Sequence, residues 1–181
     1  MPKTTAACPQ AEFLIKKSRS VSGHEGIKVL SSIDLVIHSA THLFYDGEMD
    51  HGLRDLVDLD ALIRTAERDD VDIVKRAYEL GLQRPVFYAL RYCPMLLGTP
   101  LTKDAVDGVR IAGPNRLVLA FMDFLFVRAL MPMHPSCDDK WTGLARWLLY
   151  VRSHWLKMPW YLLLPHLSRK AWMRLIGKNE H

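Results

Sequence analysis

The chain of 181 residues has few cysteines and lacks several common short motifs of catalysis and nucleotide binding. Cys8, Cys93 and Cys137 have no C-x-x-C spacing and are odd in number, which argues against a disulfide scaffold and fits a reducing cytosol. A P-loop, a G-x-G-x-x-G turn and a G-x-S-x-G elbow are all missing. No apolar stretch follows Met1, so we expect no signal peptide.

The composition is that of a globular protein. Apolar residues make up 49% of the chain and charged residues 24%, which excludes a disordered chain and a fibrous repeat. A chain of this length forms one domain, which we place at 13–176.

Charge is strongly segregated along the chain. Residues 34–79 carry twelve acidic and five basic side chains, whereas residues 140–181 carry eight basic side chains and one acidic side chain. All five tryptophans follow residue 140. This pattern indicates either attraction between the two segments or an anionic partner for the tail.

The hydrophobic pattern predicts a mainly α protein, a multi-helix domain with a short N-terminal β-hairpin. We divide it into a loose N-terminus with a short β segment (1–30), an acidic helical region (31–100) and a helical region with a basic, Trp-rich tail (101–181). Alternation with two glycines between Ser18 and Leu30 predicts the hairpin, and Ser31 with Asp34 forms a capping box that starts a helix. The expected helices span 33–45, 53–66, 72–80, the stretch from Pro85 toward 97, 116–130, 141–156 and 167–176.

Two histidines stand at metal-ligand spacing. His38 and His42 share a helix face, but Ser39 follows the first histidine where a zinc protease needs glutamate. We favour a structural role, in which both histidines pack at a helix–helix seam and bond to Asp55 or Asp58. A metal site at this pair is the weaker interpretation, and we assign no metal ligands.

Asp58-Leu59-Asp60 has the D-x-D pattern with which nucleotidyltransferases hold two Mg²⁺ ions. On a strand both carboxylates would point the same way, but here the hydrophobic period is that of a helix, where residues two apart diverge by about 200°. We therefore predict that this D-x-D lies on a helix and holds no metal pair.

The tail from Arg146 to Trp160 mixes basic and aromatic residues. It could lie on an anionic membrane surface or, less readily, bind nucleic acid. The interpretation that we favour is packing, with Trp147, Tyr150 and Val151 against the core.

Several segments together resemble an uncharacterised bacterial nucleotidyltransferase family. The similarity rests on Ile33-Asp-Leu-Val-Ile-His-Ser-Ala-Thr-His-Leu-Phe44, Gly52-Leu-Arg-Asp-Leu-Val-Asp-Leu-Asp60, Glu79-Leu-Gly-Leu-Gln-Arg-Pro85, Leu97-Gly-Thr-Pro100 and Ala145-Arg-Trp-Leu-Leu-Tyr-Val-Arg-Ser-His-Trp155. It covers the chain from about Leu14 to Trp172.

The resemblance implies a longer protein whose first half is a nucleotidyltransferase α/β core, with a Gly-Ser turn and metal-binding carboxylates. This chain would begin near the last strands of that core, so the hairpin resembles its tail end. No position matches the catalytic motif, and we assign no catalytic residue. The matching polar residues form a candidate cluster at the seam of the helix pair, facing a substrate cleft. They are His38, His42, Arg54, Asp55 and Asp58.

We therefore expect a C-terminal helical portion that binds substrate or assists nucleotidyl transfer without catalysing it. Its partner would be a small-molecule acceptor or a separate catalytic half, and Mg²⁺ and a nucleoside triphosphate are implied only for a complete family member. Two alternatives remain: a membrane-surface or protein-interaction module using the tail, and a metal-dependent hydrolase using His38 and His42. The expected location is the cytoplasm, or the inner face of the membrane if the tail binds lipid. Nucleic acid is not an expected partner.

Overall fold

A computed structural model describes residues 11–157, except 22, 25, 47–48 and 67–69, together with residue 161. Within these residues the chain is mainly helical. The predicted helix at 167–176, Cys8 and two of the tryptophans, Trp160 and Trp172, lie outside the described part. The helices are α1 (Ala11–Lys16), α2 (Ser32–Asp46), α3 (Gly52–Thr65), α4 (Asp70–Glu79), α5 (Gln83–Leu97), α6 (Lys103–Arg110), α7 (Arg116–Ala129) and α8 (Thr142–Lys157).

The predicted hairpin is present and short. Strands β1 (Arg19–Ser20) and β2 (Lys28–Val29) pair antiparallel, with Arg19 opposite Val29 and Ser20 opposite Lys28. Gly23 and Gly26 in the connection have φ values of 81° and 90°, a region that glycine enters without steric cost. The hairpin leads directly into α2.

Helix α2 starts with the predicted capping box. Ser31 Oγ accepts a hydrogen bond from the Asp34 amide at 3.1 Å and donates to Asp34 Oδ2 at 2.9 Å. The buried side of α2 carries Val36, Ile37, Ala40 and Phe44, at the three- and four-residue spacing of a helix. This side packs against α3, α4, α5 and α8, so α2 is the central helix of the fold.

Helix α5 starts earlier than predicted and runs to the predicted end. It begins at Gln83 rather than after Pro85, and it continues through Pro94 to Leu97. It ends where Gly98 takes a left-handed conformation with φ 66° and its amide bonds to the Pro94 carbonyl. Glycine at this position is the usual helix stop, so Gly98 sets the end of α5.

An aromatic cluster forms the centre of the core. Phe44 of α2, Tyr88 and Tyr92 of α5, and Phe126 of α7 have ring centroids 5.2–6.0 Å apart. All four side chains are buried. These contacts join the acidic helical region to α7, in the second half of the chain.

Helix α8 corrects one expectation. Trp147 is 52% exposed rather than packed in the core, and Tyr150 and Val151 are only partly buried. The core-facing residues of α8 are Thr142, Ala145, Leu149 and Ser153. Mostly small side chains therefore let α8 approach α7 closely, and the large aromatic side chains lie outside. None of the helices in the described part is both long and apolar enough to span a membrane.

Candidate functional site

A cavity of about 350 Å³ lies where the hairpin meets α2 and α4. One side is formed by the first turn of α2 together with Lys17 and Arg19 at the start of the hairpin. Charged residues of α4 form the other side. The lining comprises four basic, two acidic and three neutral residues. They are Lys17, Arg19, Lys75, Arg76, Asp72, Glu79, Ser31, Ser32 and Ile33.

A buried ion pair holds one residue of the cavity lining, Arg76, in place. Asp34 is fully buried, and its Oδ1 accepts a hydrogen bond from Arg76 Nε at 2.8 Å. Arg76 Nη1 also donates to Glu79 Oε2 at 2.9 Å. Burial by itself would lower the pKa of Arg76, but the hydrogen bonds that Arg76 donates to Asp34 and Glu79 raise it overall. The guanidinium therefore stays charged and fixed against α2.

Weaker ion pairs lie around the cavity. Lys17 Nζ is 3.5 Å from Glu79 Oε2, and Lys75 Nζ is 3.6 Å from Asp72 Oδ1. The hydrogen bond from Arg76, followed by the charge of Lys17, lowers the pKa of Glu79. Because these outer pairs are exposed, they cost little to rearrange around a ligand. The lining suits a ligand that carries hydroxyl groups and charges of both signs.

The predicted polar cluster does not line this cavity. His38 and His42 are exposed on the outward side of α2, which corrects the expectation that they pack at a buried seam. Arg54 and Asp58 are exposed and Asp55 is partly buried on α3. Among the described residues there is no group of three or more side chains able to hold a metal ion.

The D-x-D motif lies within α3, as predicted. Asp58 is exposed, whereas Asp60 accepts two hydrogen bonds from Arg64 Nε, at 2.8 and 2.9 Å, and one from Thr99 Oγ1. Although burial opposes it, these hydrogen bonds lower the pKa of Asp60. The two carboxylates therefore point in different directions, and Asp60 ties α3 to the end of α5.

The sequence did not reveal the ion pair that holds Arg76 in the cavity lining. Asp34 was expected only as part of the capping box, and Arg76 only as one charge on a helix. Asp34 and Arg76 are 42 positions apart, so no local pattern connects them. The available signal was the adjacent basic pair Lys75-Arg76 within a segment whose net charge is negative.

A sequence profile described as "uncharacterised nucleotidyltransferase" matches residues 1–98. The chain belongs to this family. No curated protein and no solved structure matches the chain. The matched residues include the hairpin, α2 to α5 and every residue that lines the cavity.

Proposed function

We propose that this chain is the helical, substrate-binding portion of a nucleotidyltransferase and does not catalyse the transfer itself. The membership of the family supports the reaction class. The cavity beside the hairpin supports a role in holding an acceptor, because the hairpin would continue from the catalytic core of a complete protein. The small-molecule acceptor, or a separately encoded catalytic half, would be its partner.

One observation carries the non-catalytic part of the proposal. Asp58 and Asp60 lie on one helix and face different ways, and Asp60 is already bonded to Arg64 and Thr99. Two-metal nucleotidyl transfer needs carboxylates that converge on two metal ions about 3.5–4 Å apart. The motif in α3 does not offer this convergence.

The direct test is titration and turnover with Mg-ATP and the other Mg-nucleoside triphosphates. We expect no tight binding and no pyrophosphate release by the purified chain. Asp58→Asn should behave as the parent does, and Asp60→Asn serves as the matched variant for a purely structural carboxylate. Tight binding with turnover that Asp58→Asn abolishes would overturn the proposal.

A second test concerns the partner half. The DNA upstream of the Met1 codon should encode, in some frame, a Gly-Ser turn followed by a D-x-D on a strand. Adding that polypeptide to this chain should produce nucleotidyl transfer that neither piece shows alone. If the upstream polypeptide transfers nucleotide equally well without this chain, the proposed accessory role is wrong.

A membrane-surface role is a second candidate, and one observation favours it. Leu144, Trp147, Val151 and Trp155 follow one another at three- and four-residue spacing, so they form a stripe along α8. Trp147 and Trp155 are 52% and 57% exposed. Tryptophan on an exposed helix face is typical of interfacial helices.

Flotation with anionic liposomes tests this candidate. A membrane role predicts salt-dependent binding that Trp147→Gln weakens and that Leu117→Gln, at an exposed position of α7, leaves unchanged. Absence of binding by the parent removes the candidate.

A further inference from the structure

The hairpin cavity has basic side chains that its own acidic residues engage only weakly. Lys75 Nζ lies 3.6 Å from Asp72 Oδ1, and its side chain is 69% exposed; this separation is longer than a hydrogen bond. Lys17 Nζ lies 3.5 Å from Glu79 Oε2, an oxygen that already accepts a hydrogen bond from Arg76 at 2.9 Å. Both ammonium groups can therefore turn toward a ligand at little cost.

The charges around the cavity do not cancel. The lining has four basic and two acidic residues, and Asp34, which is buried and bonded to Arg76, adds a third acidic residue. Four basic against three acidic side chains leave one positive charge. The start of α2 adds the partial positive charge of a helix N-terminus. The cavity therefore favours a ligand with a net negative charge.

Uncharged donors at the start of α2 add to the basic groups. Ser31 is engaged with Asp34 in the capping box, but Ser32, which lines the cavity, has no hydrogen-bond partner for its hydroxyl among the described residues. Ser32 and Ile33 are in the first turn of α2, where amide groups lack a helical acceptor. No other described residue accepts from these two amides. Together with the lysines, these donors can surround an oxyanion.

The size of the cavity and its acidic residues suit a hydroxylated ligand. The volume of about 350 Å³ is within the range of small-molecule sites, about 300–1,000 Å³. Asp72 and Glu79 repel an oxyanion but accept hydrogen bonds from hydroxyl groups. A phosphate monoester has three strong acceptor oxygens and nearly two negative charges, so it can accept from more of the donors than a carboxylate can.

We propose that the hairpin cavity binds a phosphorylated, hydroxyl-bearing small molecule such as a sugar phosphate. Lys17, Lys75 and the first turn of α2 hold its phosphate group, and Asp72 and Glu79 accept hydrogen bonds from its hydroxyl groups. As the class of acceptor for nucleotidyl transfer, this ligand rests on the proposed function. The binding itself needs neither a nucleotide nor a catalytic half, so the two proposals can fail separately.

Calorimetric titration of the whole chain with glucose 6-phosphate at low ionic strength tests the site directly. Glucose lacks the phosphate, and glucuronate has a carboxylate in its place. We expect saturable binding of glucose 6-phosphate, at least about tenfold tighter than that of either comparison ligand, because hydrogen bonds to a doubly charged group are the strong ones. The proposal is overturned if glucose 6-phosphate does not bind saturably or if glucuronate binds equally well.

The main variant is Lys75→Gln, because Lys75 is exposed and its loss breaks only a weak ion pair with Asp72. This variant should bind glucose 6-phosphate about fivefold or more weakly than the parent does. The matched control is Lys103→Gln, an exposed lysine at the start of α6 and outside the cavity lining, which should bind as the parent does. Binding by Lys75→Gln within about twofold of the parent contradicts the proposal.

Amide NMR of the whole chain locates the bound ligand. Glucose 6-phosphate should shift the amide signals of Ser32 and Ile33 and leave that of Leu117, an exposed residue of α7, unchanged. Saturable binding without shifts at Ser32 and Ile33 would place the ligand elsewhere and overturn the proposal.

Two further results separate this proposal from the proposed function. Tighter binding of Mg-ATP than of glucose 6-phosphate, with the same loss in Lys75→Gln, would make the cavity a nucleotide site and overturn the proposal. If glucose 6-phosphate binds as expected but addition of the catalytic half yields no nucleotidyl transfer, the proposed function is wrong and the phosphate-binding cavity stands.

Discussion

At the scale of single residues, the most demanding contact is the bond between Asp34 and Arg76. The Asp34 side chain is completely buried and that of Arg76 is 8% exposed. Removing Arg76 leaves the buried Asp34 carboxylate without its cationic partner, and breaking a buried pair in this way costs about 3–5 kcal/mol. The pair matters because it fixes α4 against the start of α2, where the cavity lies.

Arg76→Met should therefore lower the free energy of unfolding by about 3–5 kcal/mol, measured by urea denaturation. The control is Asp72→Asn, which breaks the exposed pair with Lys75 and should cost less than about 1 kcal/mol. The double variant Asp34→Leu/Arg76→Met should cost less than Arg76→Met, because no buried charge is left unpaired. Equal losses for Arg76→Met and Asp72→Asn would contradict the importance of burial.

Asp123 predicts how stability changes in acid. Its carboxylate accepts hydrogen bonds from Arg91 at 2.7 and 2.6 Å and from Tyr92 at 3.1 Å. The bond to Arg91 is the main cause that lowers the pKa of Asp123 below 3.8. A lowered folded-state pKa stabilises the fold above the unfolded-state pKa of about 3.9, and that contribution is lost as the pH falls through the folded-state value.

The urea concentration at the midpoint of unfolding should therefore decrease as the pH is lowered below about 4. Asp123→Asn should show a smaller decrease over the same pH range. The comparison is between the two pH profiles, not between the absolute midpoints. Parallel profiles for the parent and Asp123→Asn would show that Asp123 titrates alike in the folded and unfolded chains.

At the scale of helices, the sequence predicted where most elements lie. The capping box, the three- and four-residue spacing in α3 and the glycine after Leu97 are local signals, and α2, α3 and α5 follow them. The side of α8 that faces the core was predicted wrongly. Either the large aromatic residues or the small residues of α8 could face the core. Which of them does so depends on the distance between α8 and α7, and local patterns do not specify that distance.

The end of α5 allows a test with matched glycines. Gly98 has φ 66°, and a Cβ at this position would meet nothing within 4 Å. Gly98→Ala should lower the free energy of unfolding by about 1 kcal/mol, because only backbone strain is added. Gly143, in the first turn of α8, also has open space around it, and Gly143→Ala should instead stabilise the fold by about 0.5–1 kcal/mol. Thermal or urea unfolding checks both signs.

At the scale of the whole molecule, the family match ends at residue 98, but the core does not. Phe126 of α7 lies 5.2 Å from Phe44, Tyr88 and Tyr92, measured between ring centroids. The core therefore includes residues from both halves of the chain. The sequence could indicate that these residues are apolar, but their meeting depends on how α2, α5 and α7 pack, which local patterns do not specify.

Phe126→Ala should lower the free energy of unfolding by about 3–5 kcal/mol. Phe121→Ala, on the same helix at 49% exposure, should cost less than about 1 kcal/mol. A fragment of residues 1–98 should lack a fixed core, and its amide NMR signals should be poorly dispersed. A well-dispersed spectrum from that fragment would show that the family-matched part folds alone.

Because Cys93 is buried, the rate at which its thiol is alkylated measures local opening of the fold. Burial raises the pKa of the Cys93 thiol to about 12, and its sulfur lies 4.0 Å from the Leu56 carbonyl, between α3 and α5. Cys137 is exposed, so iodoacetamide at neutral pH should alkylate Cys137 quickly and Cys93 only when α3 separates from α5. The rate of that slower alkylation, followed by mass spectrometry of the two peptides, reports how often α3 and α5 separate.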